Sequence, residues 1–177
     1  MNDDAESSSQ MIDAQTRKYG EQSSGLHIAL IEPEIPPNTG NIARSCGATF
    51  TVLHLVGKLG FRTDEKALHR AGLDYWDKVE IHYHRSIEAL REFLPESRFM
   101  FFSTKAERLY TDWQYQLNDC LVFGRESRGL PEELLHANWE RCLRIPMPNP
   151  QIRSMNLATS VGIVLYEALR QTSLLTK

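Results

Sequence analysis

DCLVFG at 119–124, RESRGL at 125–130 and PEELLHAN at 131–138 form the stretch that decides how the chain is read. The first part is a continuous apolar run of the kind that suits a parallel strand covered on both faces. Gly124 ends it and polar residues follow. Gly129, Leu130 and Pro131 then lead into a short helix, at whose start the missing proline amide does no harm. A strand that turns through glycine into a helix is the repeating unit of an α/β domain. The turn has neither GxGxxG nor GxxxxGK[ST], so it is not a dinucleotide fingerprint or a Walker loop. From the residues alone two readings stay open. One is a plain strand-to-helix turn; the other is a ligand loop in which Gly124 permits close backbone approach to an adenine or a ribose.

Outward from this unit the pattern repeats. LHIALI (26–31), TVLHLVG (51–57), KVEIHYH (78–84), RFMFFS (98–103) and RCLRI (141–145) read as further strands. Helices are expected over IARSCGATF with Asn38 or Thr39 as cap, over DEKALHRAG (64–72), and over SIEALREFL (86–94) behind a serine cap. In the last segment Leu157, Val161, Val164, Leu165 and Ala168 share one helical face. Strands alternate with helices and no internal repeat occurs, which predicts one α/β domain with a mostly parallel sheet. Sites in such sheets gather beyond the carboxyl ends of strands. The loops at 32–41, 124–130 and 146–155 all occupy such positions.

The chain of 177 residues is 41% hydrophobic and 24% charged, enough for one self-sufficient core. Residues 1–25 are expected to be a flexible tail and 26–177 the folded domain. MNDDAESSSQ does not resemble a secretion signal, and no apolar run reaches membrane-spanning length, so cytoplasm is the default address. Cys46, Cys120 and Cys142 are far apart and read as reduced, buried thiols. The formal charge of -3 gives no global nucleic-acid signal, but leaves room for a local basic surface. His82 and His84 share one side of a strand without a carboxylate or cysteine to complete a metal set, so no metal is expected. Tyr75 and Trp76 suit packing against the sheet better than stacking on RNA.

Several polar residues admit two roles. Glu126, between Arg125 and Arg128, is either a surface ion pair or the residue that orients a functional arginine. Arg44, after NTGNIA, is a solvated helix arginine or a phosphate contact. Ser154 and Asn156 either cap the final helix or line a polar pocket.

Three separated motifs together resemble the SpoU branch of the knotted SPOUT RNA methyltransferases: NTGNIAR (38–44), LVFGRESRGLP (121–131) and IPMPNPQIRSMNLATSVGIVLYEAL (145–169). EPEIPPNTGN and RAGLDYW add a likeness to the small tRNA (cytidine/uridine-34-2'-O)-methyltransferases within it. The resemblance covers about residues 26–170. It implies a parallel sheet with a deep C-terminal trefoil knot, a topology that general chain-connection rules disfavour. It also implies a homodimer with S-adenosyl-L-methionine (SAM) bound in the knot, beside Phe102, Gly124, Ile145, Ser154 and Leu157. Arg44, Glu126, Ser154 and Asn156 are the implied catalytic set, acting on the ribose of wobble nucleotide 34 in a tRNA anticodon stem-loop. Arg44, Arg62, Arg70, Arg125, Arg128 and Arg153 would supply a local RNA-facing surface. Methylation at another tRNA or rRNA nucleotide, or RNA binding without catalysis, are the competing expectations.

Overall fold

The computed structural model describes residues 23–61 and 76–172. The expected helix at 64–72, together with Arg62, Arg70 and Tyr75, lies outside the described residues. Strands β1 (His27–Ile31), β2 (Val52–Val56), β3 (Ile81–His84), β4 (Phe99–Phe102), β5 (Arg108–Leu109), β6 (Cys120–Phe123) and β7 (Cys142–Arg144) form one sheet in the order β3-β2-β1-β6-β4-β7-β5. Every pairing is parallel. All six expected strands are present. The two-residue edge strand β5 is new, too short and too exposed to announce itself by apolar content.

The helices are α1 (Pro36–Thr49), α2 (Ile87–Phe93), α3 (Glu132–Ala137) and α4 (Leu157–Gln171). Period-2 alternation sorts the strand residues between two apolar layers. Leu53, Leu55, Leu121 and Phe123 join Ile42 of α1 and Val161, Val164 and Leu165 of α4 in one layer, against which Trp76 also packs. Ala29, Val122 and Phe101 join Leu90 of α2 and Leu135 of α3 in the other. The central strands are therefore buried on both sides, as their continuous apolar runs require. All three cysteines are buried and unpaired.

Two helix starts differ from expectation. Neither Asn38 nor Thr39 caps α1; the helix begins at Pro36, after Ile35, with prolines filling its first positions. Proline suits those positions because its fixed φ is already helical and no amide is left unpaired. This frees the Asn38 side chain for another task. Of the two candidates at α4, Asn156 is the cap, its Oδ1 accepting from Thr159 N at 3.2 Å. Ser86 caps α2 as expected. At the amino end, Ser24 is buried, with its Oγ 3.0 Å from Thr51 Oγ1, and Gly25 O accepts from Asn118 N. Ordered chain thus starts slightly before the expected boundary at residue 26.

Candidate functional site

The loop after β6 closes on itself. Gly129 N donates to Arg125 O at 2.8 Å, and Arg125 N returns a bond to Gly129 O at 3.2 Å. Gly129 has φ +70°, the left-handed region that glycine adopts freely. A Cβ on Gly124 would lie 2.1 Å from Gly129 C and 2.2 Å from Leu130 N. Glycine is therefore required at 124 by the loop's own backbone. That corrects the expectation that the missing side chain serves a ligand's approach.

Held this way, Glu126 reaches the start of α1. Its carboxylate accepts from Glu34 N (2.8 Å), Ile35 N (3.1 Å) and Asn38 Nδ2 (3.1 Å). A negative group at a helix N-terminus is favoured by the unpaired amides and the helix dipole. Asn38 Oδ1 in turn accepts from Asn156 Nδ2 at 2.9 Å. One chain of hydrogen bonds thus ties together the three loops that follow β1, β6 and β7. Glu34 reciprocates by accepting from Ser127 N at 3.0 Å. Hydrogen bonding from Ser127, with Arg128 adding its charge, holds the Glu34 carboxyl below the usual range. Arg125 pairs with Glu32. Glu126 is therefore neither a surface ion pair nor the partner of a neighbouring arginine.

Around this network a cleft of about 500 Å³ opens at the carboxyl ends of β4, β6 and β7. Its volume falls within the range of about 300–1,000 Å³ usual for small-molecule sites. Phe102, Phe123, Leu130, Leu143, Ile145 and Leu157 provide apolar lining. Phe102 and Phe123 stack with ring centroids 4.7 Å apart. Lys105, Arg125, Arg128, Glu126, Ser154 and Asn156 provide the polar part. Of the residues expected at the site, Phe102, Gly124, Glu126, Ile145, Ser154, Asn156 and Leu157 all line this cleft. Arg44 does not; it lies on the exposed face of α1. Asn38 is the bridging residue that sequence reasoning missed, although it opens the NTGNIAR motif.

A second polar assembly crosses β1, β2 and β3. His27 Nδ1 lies 3.0 Å from His54 Nε2, and His54 Nδ1 lies 3.0 Å from His84 Nε2. His82 stacks on His54 and bonds Glu80 Oε1 at 2.9 Å, so a carboxylate does stand beside this group, contrary to expectation. Among the described residues no His/Cys/Asp/Glu group has the geometry to hold a metal ion. His54 is fully buried, and Phe93 of α2 packs against His54, His82 and His84. Desolvation lowers His27 and His84 to about 4 and carries His54 well below its ordinary value. All three are neutral near pH 7 and share protons as paired imidazoles.

The model of the SpoU rRNA Methylase family matches residues 25–166. The chain belongs to that family. A Bacillus subtilis (strain 168) relative, provisionally named a tRNA (cytidine(34)-2'-O)-methyltransferase, is 50% identical over 149 residues, which are 82% of this chain and 92% of its own. The Aeromonas hydrophila tRNA (cytidine(34)-2'-O)-methyltransferase is 46% identical over 82% of this chain and 94% of its own. A solved structure described for 2-OH methylation of C/U34 on tRNA is 48% identical, with a TM-score of 0.76, covering 82% of this chain and 95% of that one. In this SpoU methylase the family's three motif regions are the three loops that the hydrogen-bond chain ties together. Among the described residues no helix is long and apolar enough to cross a membrane.

Proposed function

We propose that this SpoU methylase transfers a methyl group from SAM to the ribose 2'-oxygen of wobble nucleotide 34, cytidine or a modified uridine, in tRNA. The observation that carries the reading is the cleft at the strand ends, where the three motif loops meet through Glu126, Asn38 and Asn156. Its lining fits the donor: stacked and aliphatic side chains suit an adenine and a thioether, and polar groups stand beside them to fix orientation. When bound, SAM supplies an activated methyl on its sulfonium and is converted to S-adenosyl-L-homocysteine.

The protein's own part is alignment. Phe102, Gly124, Ile145 and Leu157 form the donor wall, with Ser154 at its polar edge. Glu126 holds the start of α1 against the loop after β6, and Asn156 fixes the start of α4 to the same point. Ser154 and Asn156 then face the reacting ribose. A guanidinium stays protonated, so Arg44 serves by stabilising developing charge on oxygen or by fixing a phosphate, not by taking the proton.

Arg44 stands outside its own cleft, which supports a homodimer in which it serves the partner's cleft. The trefoil knot belongs to the same reading and is supported by β7, which inserts between the earlier strands β4 and β5. So do a folded domain running to 177, an anticodon stem-loop as the bound RNA and a cytoplasmic location. The 2'-hydroxyl requirement gives a chemical reason to act on RNA and not DNA.

The test is incubation with radiolabelled SAM and total tRNA, followed by mapping of the methylated ribose. Label confined to nucleotide 34 is expected. Label only in rRNA, or at another tRNA position, would transfer the assignment to that nucleotide. RNA binding without methyl transfer would leave a non-catalytic binding protein. Arg44→Ala is expected to lower turnover well before it changes SAM affinity, measured by steady-state methylation beside calorimetric binding.

A further inference from the structure

We infer that Arg125 binds a phosphate of the RNA substrate at the mouth of the cleft, and that Glu32 is the positioning residue that aims it. The inference rests on the methyl transfer to RNA proposed above, but its starting point is a backbone outlier. Glu32, the residue directly after β1, has φ 48°. A side-chain-bearing residue seldom adopts this left-handed conformation unless its surroundings enforce it.

The surroundings do enforce it. Glu32 N donates to Val56 O at 2.8 Å, and a Cβ on Gly57 would meet Glu32 Cγ at 2.7 Å. The glutamate side chain lies in the space that glycine leaves at 57. From there its Oε2 meets Arg125 Nη2.

A clasp between loops does not explain this arrangement. The same two loops are already joined by Glu126 to the amides of Glu34 and Ile35, and by Ser127 N to Glu34. A partly exposed ion pair adds little stability, less than a left-handed glutamate costs. What the pair does provide is direction. Arg125 is held at its backbone by Gly129 and at its guanidinium by Glu32. Its side chain keeps 38% of its surface exposed while lining the cleft. A guanidinium presents five N–H donors in a planar fork, and the pair to Glu32 engages one terminal nitrogen. The remaining donors suit a phosphate, which accepts such a fork at two oxygens. Lys105 and Arg128 line the same cleft, and their company favours an anionic ligand there.

The experiment uses the full chain and a synthetic anticodon stem-loop RNA, with affinity measured across a salt series and SAM affinity measured separately. Each phosphate contact contributes about 0.7 to the slope of log affinity against log salt for single-stranded RNA. Arg125→Gln should reduce the slope by about that amount and weaken RNA binding by roughly tenfold. It should leave SAM affinity unchanged, and Arg125→Lys should restore the slope. Glu32→Gln keeps the cation, so the slope should persist while kcat/KM for RNA falls severalfold; Glu32→Asp should recover part of the loss. An unchanged slope and affinity in Arg125→Gln would overturn the inference. So would a loss confined to SAM affinity, which would assign Arg125 to the donor's carboxylate instead. Because the slope reads binding alone, it reports on Arg125 even if the wild-type protein transfers no methyl group. In that case the proposed function fails and the phosphate contact can still stand.

Discussion

The cleft and the histidine assembly solve the same problem in opposite ways. Both place polar side chains within the fold, and both pair them closely. At the cleft a charged carboxylate, Glu126, is surrounded by donors from two backbone amides and Asn38, with the loop left partly open to solvent. Across β1, β2 and β3 the groups are neutral imidazoles, buried and bonded to one another. The carboxylate keeps its charge because donors and a helix terminus replace water. The imidazoles give up theirs because burial offers nothing to replace it. The first arrangement leaves groups facing a ligand; the second is closed and structural.

The sharpest way to break that contrast is Gly124→Ala. The added methyl meets backbone, which cannot swing aside, so the loop must open. A stability loss of about 3 kcal/mol is expected, at the upper end for overpacking, together with loss of SAM binding. Thermal unfolding and calorimetry on the same sample would check it, and an intact cleft would remove the explanation given for this glycine.

The histidine side is tested by pH. The folded state binds protons on His27 and His84 only near pH 4, whereas the unfolded chain takes them up near the ordinary value of 6.5. Stability contributed by these neutral side chains is full above about pH 6.5 and is lost as pH falls toward 4. His54→Leu leaves His27 and His84 each without a partner, which should cost about 2 kcal/mol without altering methyl transfer at a temperature where the variant remains folded. Denaturant titrations across that pH range, run beside an activity assay, would read both effects. A variant that kept full stability but lost turnover would mean that the assembly is not merely structural.

The smallest effect is expected from Asn38→Ala. It removes one donor from Glu126 and one acceptor from Asn156 while leaving both amide bonds to Glu126 in place. About 1 kcal/mol of stability should go, with turnover falling more steeply than SAM affinity because alignment between loops is what Asn38 supplies. Unchanged turnover would reduce the bridge to a packing detail.

The sheet was legible in the sequence because each long strand is an apolar run ended by glycine, proline or polar residues. β5 was not, since a two-residue edge strand has no pattern to show. The start of α1 was misplaced for a local reason: Asn38 and Thr39 are good caps by residue type, while the two prolines ahead of them had already begun the helix. The role of Glu126 was hidden for a non-local one. Its donors lie 88 to 92 residues away, and no windowed pattern can relate RESRG to EPEIPPN over that distance. Family resemblance gathered the cleft residues correctly because it compares whole motifs. It could not reveal that Gly124 is needed by the loop's own backbone, which only coordinates display.

The cleft's lining runs from Ile35 to Ser160, and its third wall follows a strand, β7, that enters between two strands laid down before it. A chain still emerging from the ribosome therefore has most of its sheet but no complete cleft. β4 and β5 must also stay apart until β7 arrives, a late and non-local step of the kind that slows folding. In a growing cell, each molecule passes through an interval in which it is largely folded and yet catalytically blind, and the length of that interval is set by the final stretch of polypeptide.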